Sequence, residues 1–384
     1  MDKIKQVKKT KFINGQFDFI LLMVVLLLLA LGIIMVLSAS APSALSETGN
    51  SYTYFNKQCL FAIGGIILMI ILSKVDYRIY KRFYKLSYII SVASLLLVVI
   101  PGLGISVNGA TRWINLGFTQ FQPSELTKIG LIVFYAGYLT DHKRELNTLK
   151  GGFIKPVLLL LPAIVILVLV QDHLSVCIVL VGIIATMMLM AGSRVRDFLS
   201  IGLSLGGLGV VGLIALAKVA NIGKFRLARI TTFLDPWSDP TGAGWQVIQS
   251  LYAIGSGGLF GVGLGESKQK YLYIPEPHND FIFSILAEEL GFIGCTVVVI
   301  LFAIFIWRGV IAAMKAPDMF GSLIAMGIVS LVGVQVVINI AVVTSSMPAT
   351  GMPLPFFSCG GTALTILLAA VGVLLNISRS NSKL

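Results

Sequence analysis

Apolar residues in this chain come in long unbroken runs, not in the alternating or three-to-four-residue stripes of half-buried elements. The runs lie near 18–39, 58–73, 84–101, 124–140, 156–170, 174–191, 198–217, 281–307, 319–343 and 361–377, separated by polar or Gly- and Pro-bearing connections. A helix needs roughly 20 apolar residues to cross about 30 Å of hydrocarbon. The pattern therefore predicts an all-α polytopic membrane protein of ten transmembrane helices, forming a single domain over 1–384. Connections are short except the one at 218–280, between helices 7 and 8, which is rich in Gly, Pro and aromatics. A loop that long in a compact bundle is usually functional. Its middle, Trp245 to Leu259, mixes apolar and small residues and suits a helix lying on or dipping into the interface.

Composition agrees with lipid as the solvent: 57% of residues are hydrophobic and 12% charged, with a mean hydropathy of +0.93. The net charge of +12 does not indicate nucleic acid, because the cations form no interleaved aromatic-basic patch. They mark alternate loops instead: Lys74, Arg78, Lys81, Arg82 and Lys85; then Lys143, Arg144, Lys150 and Lys155; then Arg194 and Arg196; then Arg308 and Lys315. Positive loops stay inside, so both termini are expected in the cytosol and the long loop outside, in a multi-pass membrane protein. The basic Lys3–Lys11 stretch and Ser38-Ala39-Ser40-Ala41 imitate a signal peptide, but the apolar run is too long for one, so a retained first helix is expected. Cys59, Cys177, Cys295 and Cys359 show neither metal-ligand spacing nor a disulfide framework.

Polar residues with chemical potential gather at the expected outer ends. Ionisable groups there cost several kcal/mol unless paired or hydrated. Four segments stand out: NGATRWINLG (108–117) leading into QPSELTK (122–128); DPWSDPTGAGWQVIQS (235–250); PEPHNDFIF (275–283) with AEELG (287–291); and PLPFFSCGG (353–361). Pro123 and Ser124 mark the start of span four, with Ser124 as a possible cap. Glu125 and Lys128, three apart, should pair, either as a structural ion pair or in contact with substrate. Arg112 can stack on Trp113 or clamp a phosphate. Asp280, after the rigid Pro275-Glu276-Pro277, is either a helix cap or a poised carboxylate. His278 is more often a hydrogen-bonding neighbour than a catalyst. Glu288 and Glu289, about 12 Å further along the helix and roughly 100° apart, cannot face the same way. PLPFFSCGG cannot be regular helix and must be buried in protein or line a polar cavity, where Ser358 offers a hydroxyl. No serine-hydrolase elbow or P-loop occurs.

GATRWINLG with QPSELTK, the DPW-DP-GAGWQ-IQS run, GLGESKQKYLYIPEPHNDFIF-AEELGFIG and P-LPFFSCGG, in this order, resemble the SEDS family (shape, elongation, division, sporulation), the group of FtsW, RodA and SpoVE. GLG-S-QK and the closing GVLLNISR are more similar to its division and sporulation branch. The resemblance implies a peptidoglycan glycosyltransferase of the bacterial cytoplasmic membrane that polymerises lipid II outside the cell beside a class B penicillin-binding transpeptidase and other divisome or sporulation membrane proteins. It places the family's essential loop Asp at Asp280, its span-four Glu and Lys at Glu125 and Lys128, its motif Arg at Arg112 and a cytosol-side Arg at Arg78. Three positions depart from the family's usual pattern: Asn279 where Thr is common, Cys359 where an aromatic is common, and Gln171-Asp172-His173 where Gln or Glu is followed by Pro.

Joining the 4-hydroxyl of one lipid-linked sugar to the anomeric carbon of another requires a base and a stabilised dianionic leaving group. The reading that follows makes Asp280 the general base, with Arg112, Lys128 and room for a divalent ion at the leaving pyrophosphate. Ser358 and His278 are further candidates for substrate contact. A lipid II flippase is the alternative, weakened by the gathering of polar residues at one membrane face. A silent scaffold docking through Gly202, Gly206 and Gly209 is the third.

Overall fold

The computed structural model describes residues 17–107, 110–115, 117, 119–198, 233–242, 244–271 and 273–380. The predicted span at 198–217 beyond its first residue, the first part of the long loop, and Gly202, Gly206 and Gly209 lie outside them. Helices follow the apolar runs: α1 (Phe19–Thr48), α2 (Thr53–Lys74), α3 (Tyr84–Leu96), α4 (Pro123–Asp141), α5 (Lys155–Leu169), α6 (Leu174–Ala191), then α8 (Ile282–Met314), α9 (Met319–Val343) and α10 (Gly361–Ser380). Between α6 and α8 lies the shorter α7 (Trp245–Gly257). Seven helical segments among the described residues are long and apolar enough to cross a membrane.

The bounds of α6 and α9 coincide with the apolar runs. α1 instead continues nine residues past its run, through Pro42 to Thr48. Ala39, Ser40, Ser43 and Ala44 are buried there, and Gly49, in the left-handed region, closes the helix with its N–H on the Leu45 carbonyl.

Side-chain contacts sort the helix ends into two groups. At one end, Arg308 of α8 pairs with Asp18 at 2.6 Å, the Asn376 Oδ1 accepts from the Tyr77 N–H, and Tyr77 and Arg78 both reach Asp318, the cap of α9. The other end gathers Gln58, Asp280, Asn339 and Ser358.

Two features depart from the sequence reading. In a chain expected to be all-α, the connection before α4 holds a small antiparallel sheet, in which β1 (Gly104–Val107) pairs with β2 (Ala110–Asn115) and β2 with β3 (Gln120–Phe121). In addition, the eighth apolar run is not one continuous helix, since Gly291 has φ 66° and ψ −166°. Only glycine takes that conformation at low cost. The groups released by the break are satisfied by the chain after α7: Val262 and Gly263 donate to the carbonyls of Glu288 and Glu289, and Phe292 and Ile293 donate to those of Gly258 and Leu259. Irregular backbone at such depth is tolerated only when another segment completes it. α7 is itself seated in the bundle, with its Ser250 hydroxyl on Ser284 of α8 and on the Val343 carbonyl of α9.

Candidate active site

Asp280 stands where the long loop turns into α8. It is not the cap of that helix, because the cap position is Phe281 and no side chain bonds there. Its backbone is held from three directions. Asn339 of α9, fully buried, donates through Nδ2 to the Asp280 carbonyl at 2.8 Å and to the Met352 carbonyl at 2.7 Å. Ser358 donates to the carbonyl of Asn279 at 2.7 Å while accepting from the Leu354 N–H, and the Cys359 N–H donates to the carbonyl of His278. Gln58 of α2, also buried, donates to the Ser358 carbonyl and accepts from the Gly360 N–H. The proline- and glycine-flanked PLPFFSCGG segment is irregular and buried in protein, as its composition required. It acts as the socket for the Asp280 turn, and its Phe356 carbonyl lies so close to Gly32 of α1 that a Cβ there would overlap it.

The carboxylate itself is half-buried and lies beside Gly351. His278, buried at 4% exposure, packs its ring against Tyr54 with centroids 4.5 Å apart. Its Nδ1 makes no hydrogen bond among the described residues. Burial holds its pKa below the usual histidine value against the opposing pull of Glu276 and Glu47.

The cations form a second cluster at the same end. Glu125 and Lys128 pair at 2.8 Å, with the Lys128 side chain only 1% exposed. Pro123 opens α4, but the cap position is Gln122 and Ser124 caps nothing; its hydroxyl, like the Nδ1 of His278, lacks a partner. Arg112, on β2, donates from Nε to the Gln171 carbonyl at 3.0 Å and from a terminal nitrogen to the Asp172 carbonyl at 2.5 Å. The sheet thus aims Arg112 at the loop between α5 and α6. Both Arg112 and Lys128 lie near enough to His173 to act on its titration: burial first, then these two cations, push it down to about 3, with Asp172 opposing.

The two clusters adjoin. Ser175, two residues after His173, donates to the carbonyl of Thr350. The next residue is Gly351, against the Asp280 carboxylate. Asp280, Arg112, Glu125, Lys128, His278 and Ser358 are thereby brought to one end of the bundle, with Ser358 engaged in holding backbone. Arg78 is not brought there. It pairs with Asp318 at 3.1 Å, at the opposite end of α9 from Asn339 and roughly 30 Å along that helix.

Glu288 and Glu289 do face different ways, as helical geometry demands, yet both hold the same strap. Glu288 accepts from the Ser267 hydroxyl and from the N–H groups of Lys268 and Gln269. Glu289 accepts from Ser38 of α1 and pairs with Lys270 at 3.0 Å, both charges buried. Gln58, Asn339, Lys270 and Ser38 escaped the sequence reading, although Gln58 and Asn339 are polar residues inside apolar runs and so carry the signal of an intramembrane functional group.

The chain matches the family model described as "Cell cycle protein", that of FtsW, RodA and SpoVE, over residues 18–383. It is 45% identical over 362 residues to Stage V sporulation protein E of Bacillus subtilis (strain 168), covering 94% of this chain and 97% of that protein. It is 40% identical to the probable peptidoglycan glycosyltransferase FtsW of Geobacter sp. (strain M18), with 94% and 96% covered. Among solved structures it resembles a chain of a peptidoglycan synthase complex that coordinates polymerization and crosslinking, at TM-score 0.75 and 29% identity over 96% of this chain and 99% of that one. It also resembles the rod shape determining protein RodA of Thermus thermophilus, at TM-score 0.66 and 29% identity over 96% and 98%. These matches span nearly the whole chain, which is therefore a multi-pass membrane protein belonging to the FtsW/RodA/SpoVE family.

Proposed function

We propose that this chain is an inverting peptidoglycan glycosyltransferase that polymerises lipid II at the outer face of the cytoplasmic membrane, with Asp280 as general base. The observation that carries the reading is the run of contacts from the Asp280 carboxylate through Gly351, Thr350 and Ser175 to the cluster of His173, Arg112 and Lys128. A base and two cations at one end of a bundle are what the reaction requires. Asp280 takes the proton of the acceptor 4-hydroxyl as its oxygen bonds the donor's anomeric carbon. The bond from that carbon to the pyrophosphate oxygen breaks, and undecaprenyl pyrophosphate leaves with the electron pair. Arg112 and Lys128 supply the positive charge that stabilises it. One displacement with one base inverts the anomeric centre. Among the described residues no group of three or more His, Cys, Asp or Glu side chains is placed to hold a metal ion.

The wider frame belongs to the same proposal: ten spans with both termini cytosolic, the 218–280 loop outside, and a class B transpeptidase as partner. The solved relative in a synthase complex that couples polymerization to crosslinking supports that partnership. The test is polymerisation of labelled lipid II by the purified protein with its transpeptidase, resolved on a product gel. Wild type should make long strands and Asp280→Asn, folded to the same Tm, should make none. Strands from the variant would remove Asp280 from the mechanism.

A further inference from the structure

Among the described residues, three buried side-chain atoms along the run of contacts between the cations and Asp280 make no hydrogen bond: Gln171 Oε1, His173 Nδ1 and Thr350 Oγ1. The residues are locally well held. Gln171, fully buried, spends its amide nitrogen on the Leu95 carbonyl of α3. His173, 5% exposed, anchors its N–H on the Leu167 carbonyl. Thr350 is fixed through its carbonyl by Ser175. An unmade hydrogen bond at a buried polar group costs about 1–3 kcal/mol. Of the nine buried side-chain atoms in this state among the described residues, three fall in this one stretch beside the cations, and they call for a ligand that completes them.

The chemistry of that ligand follows from the atoms. A carboxamide oxygen accepts, a hydroxyl does both, and a neutral imidazole nitrogen does one or the other according to tautomer. The ring of His173 is uncharged at physiological pH, because burial and the flanking Arg112 and Lys128 oppose protonation. Charge recognition is therefore left to the cations, and the three orphan atoms suit uncharged donors and acceptors: hydroxyl and acetamido groups. We propose that Gln171, His173 and Thr350 form an uncharged subsite that binds an N-acetylated sugar of the substrate between the pyrophosphate held by Arg112 and Lys128 and the base Asp280. The inference rests on the polymerase reading and assigns the sugar-recognising side of that site. Distortion of the reacting sugar is not required of it. Its task is positioning, so its loss should fall on KM.

The experiment uses the full-length protein in detergent with its transpeptidase, comparing wild type, His173→Leu, His173→Gln and Thr350→Val. Two readouts are taken: KM and kcat for lipid II polymerisation, and the rise in Tm that lipid II causes. His173→Leu should raise KM about 10- to 100-fold with kcat changed less than about threefold, and should lose the Tm rise. His173→Gln should recover most of both. Thr350→Val, nearly isosteric, should raise KM severalfold and guards against a His173→Leu that fails to fold. Variants matching wild type in KM and in the Tm rise would mean that water alone completes these atoms, and would overturn the subsite while leaving the polymerase reading intact. If wild type binds lipid II, shown by its Tm rise, and makes no strands, yet His173→Leu abolishes that rise, the subsite stands and the polymerase reading falls. If lipid II gives wild type neither strands nor a Tm rise, the subsite falls with that reading.

Discussion

Gly351 is held against Asp280 closely enough that a Cβ on the glycine would stand 3.1 Å from the carboxylate Oδ2. Gly351 also has φ +60°, a conformation that side chains rarely adopt. Gly351→Ala therefore meets two penalties: about 1 kcal/mol of backbone strain and a displaced carboxylate. A misplaced reacting group costs rate far beyond its effect on stability. Polymerisation should fall by at least about 10-fold while Tm drops by only a few degrees, checked by a gel assay and a thermal melt on the same preparation. Normal activity would show that the carboxylate has room to move.

Glu125 and Lys128 test whether a buried pair serves structure or substrate. Removing one partner of such a pair leaves a buried charge, at a cost of about 3–5 kcal/mol, whereas replacing both is often nearly neutral. Glu125→Gln should thus lower Tm sharply, since the Lys128 side chain is 1% exposed, and the double variant Glu125→Gln/Lys128→Met should restore much of it. If Lys128 stabilises the leaving group, the restored double variant stays inactive. A stable and active double variant would assign the pair to structure alone.

The strap from Gly263 to Lys270 leads towards Asp280 and is pinned by Glu288, Glu289 and Ser38. A double-mutant cycle over Lys270→Met and Glu289→Gln should show coupling of about 1–3 kcal/mol. In the single variants, amide hydrogen exchange should quicken over 263–270 and polymerisation should slow severalfold. Unchanged protection would mean that the Glu288 contacts alone hold the strap.

Acid should destabilise the protein through His173. An unfolded histidine titrates near 6.5, and burial with Arg112 and Lys128 keeps folded His173 at about 3. Below pH 6.5 the unfolded chain takes up a proton that the folded chain refuses, so stability is fully present above 6.5 and is lost as pH falls towards 3. The single site accounts for about 3 kcal/mol by pH 4. His278, also depressed by burial, acts with the same sign. The Tm of wild type in detergent should fall steeply between pH 6.5 and 4, and His173→Gln should flatten the fall.

The sequence by itself determined that the chain lives in lipid, where most of the described helices run and which polar segments gather at one end. Those properties follow from the uniform cost of exposing backbone and charge to hydrocarbon, a cost that depends on residue type and order. α6 and α9 could be read to the residue, and the Glu125–Lys128 pair follows from helical spacing alone. The strands that carry Arg112 were also written locally, with Ile105 and Val107 in β1 and Thr111, Trp113 and Ile114 in β2, but the adjoining apolar runs hid them. Tertiary structure decided the rest. Asn339 lies 59 residues from Asp280 and Gln58 lies 300 from Ser358; no local period connects them. The break at Gly291 exists because the chain after α7 completes the backbone it frees, and Arg78 is separated from the site by the length of α9. Hydrogen bonds and ion pairs are short-ranged and directional, so which polar residues meet is fixed only when the helices pack.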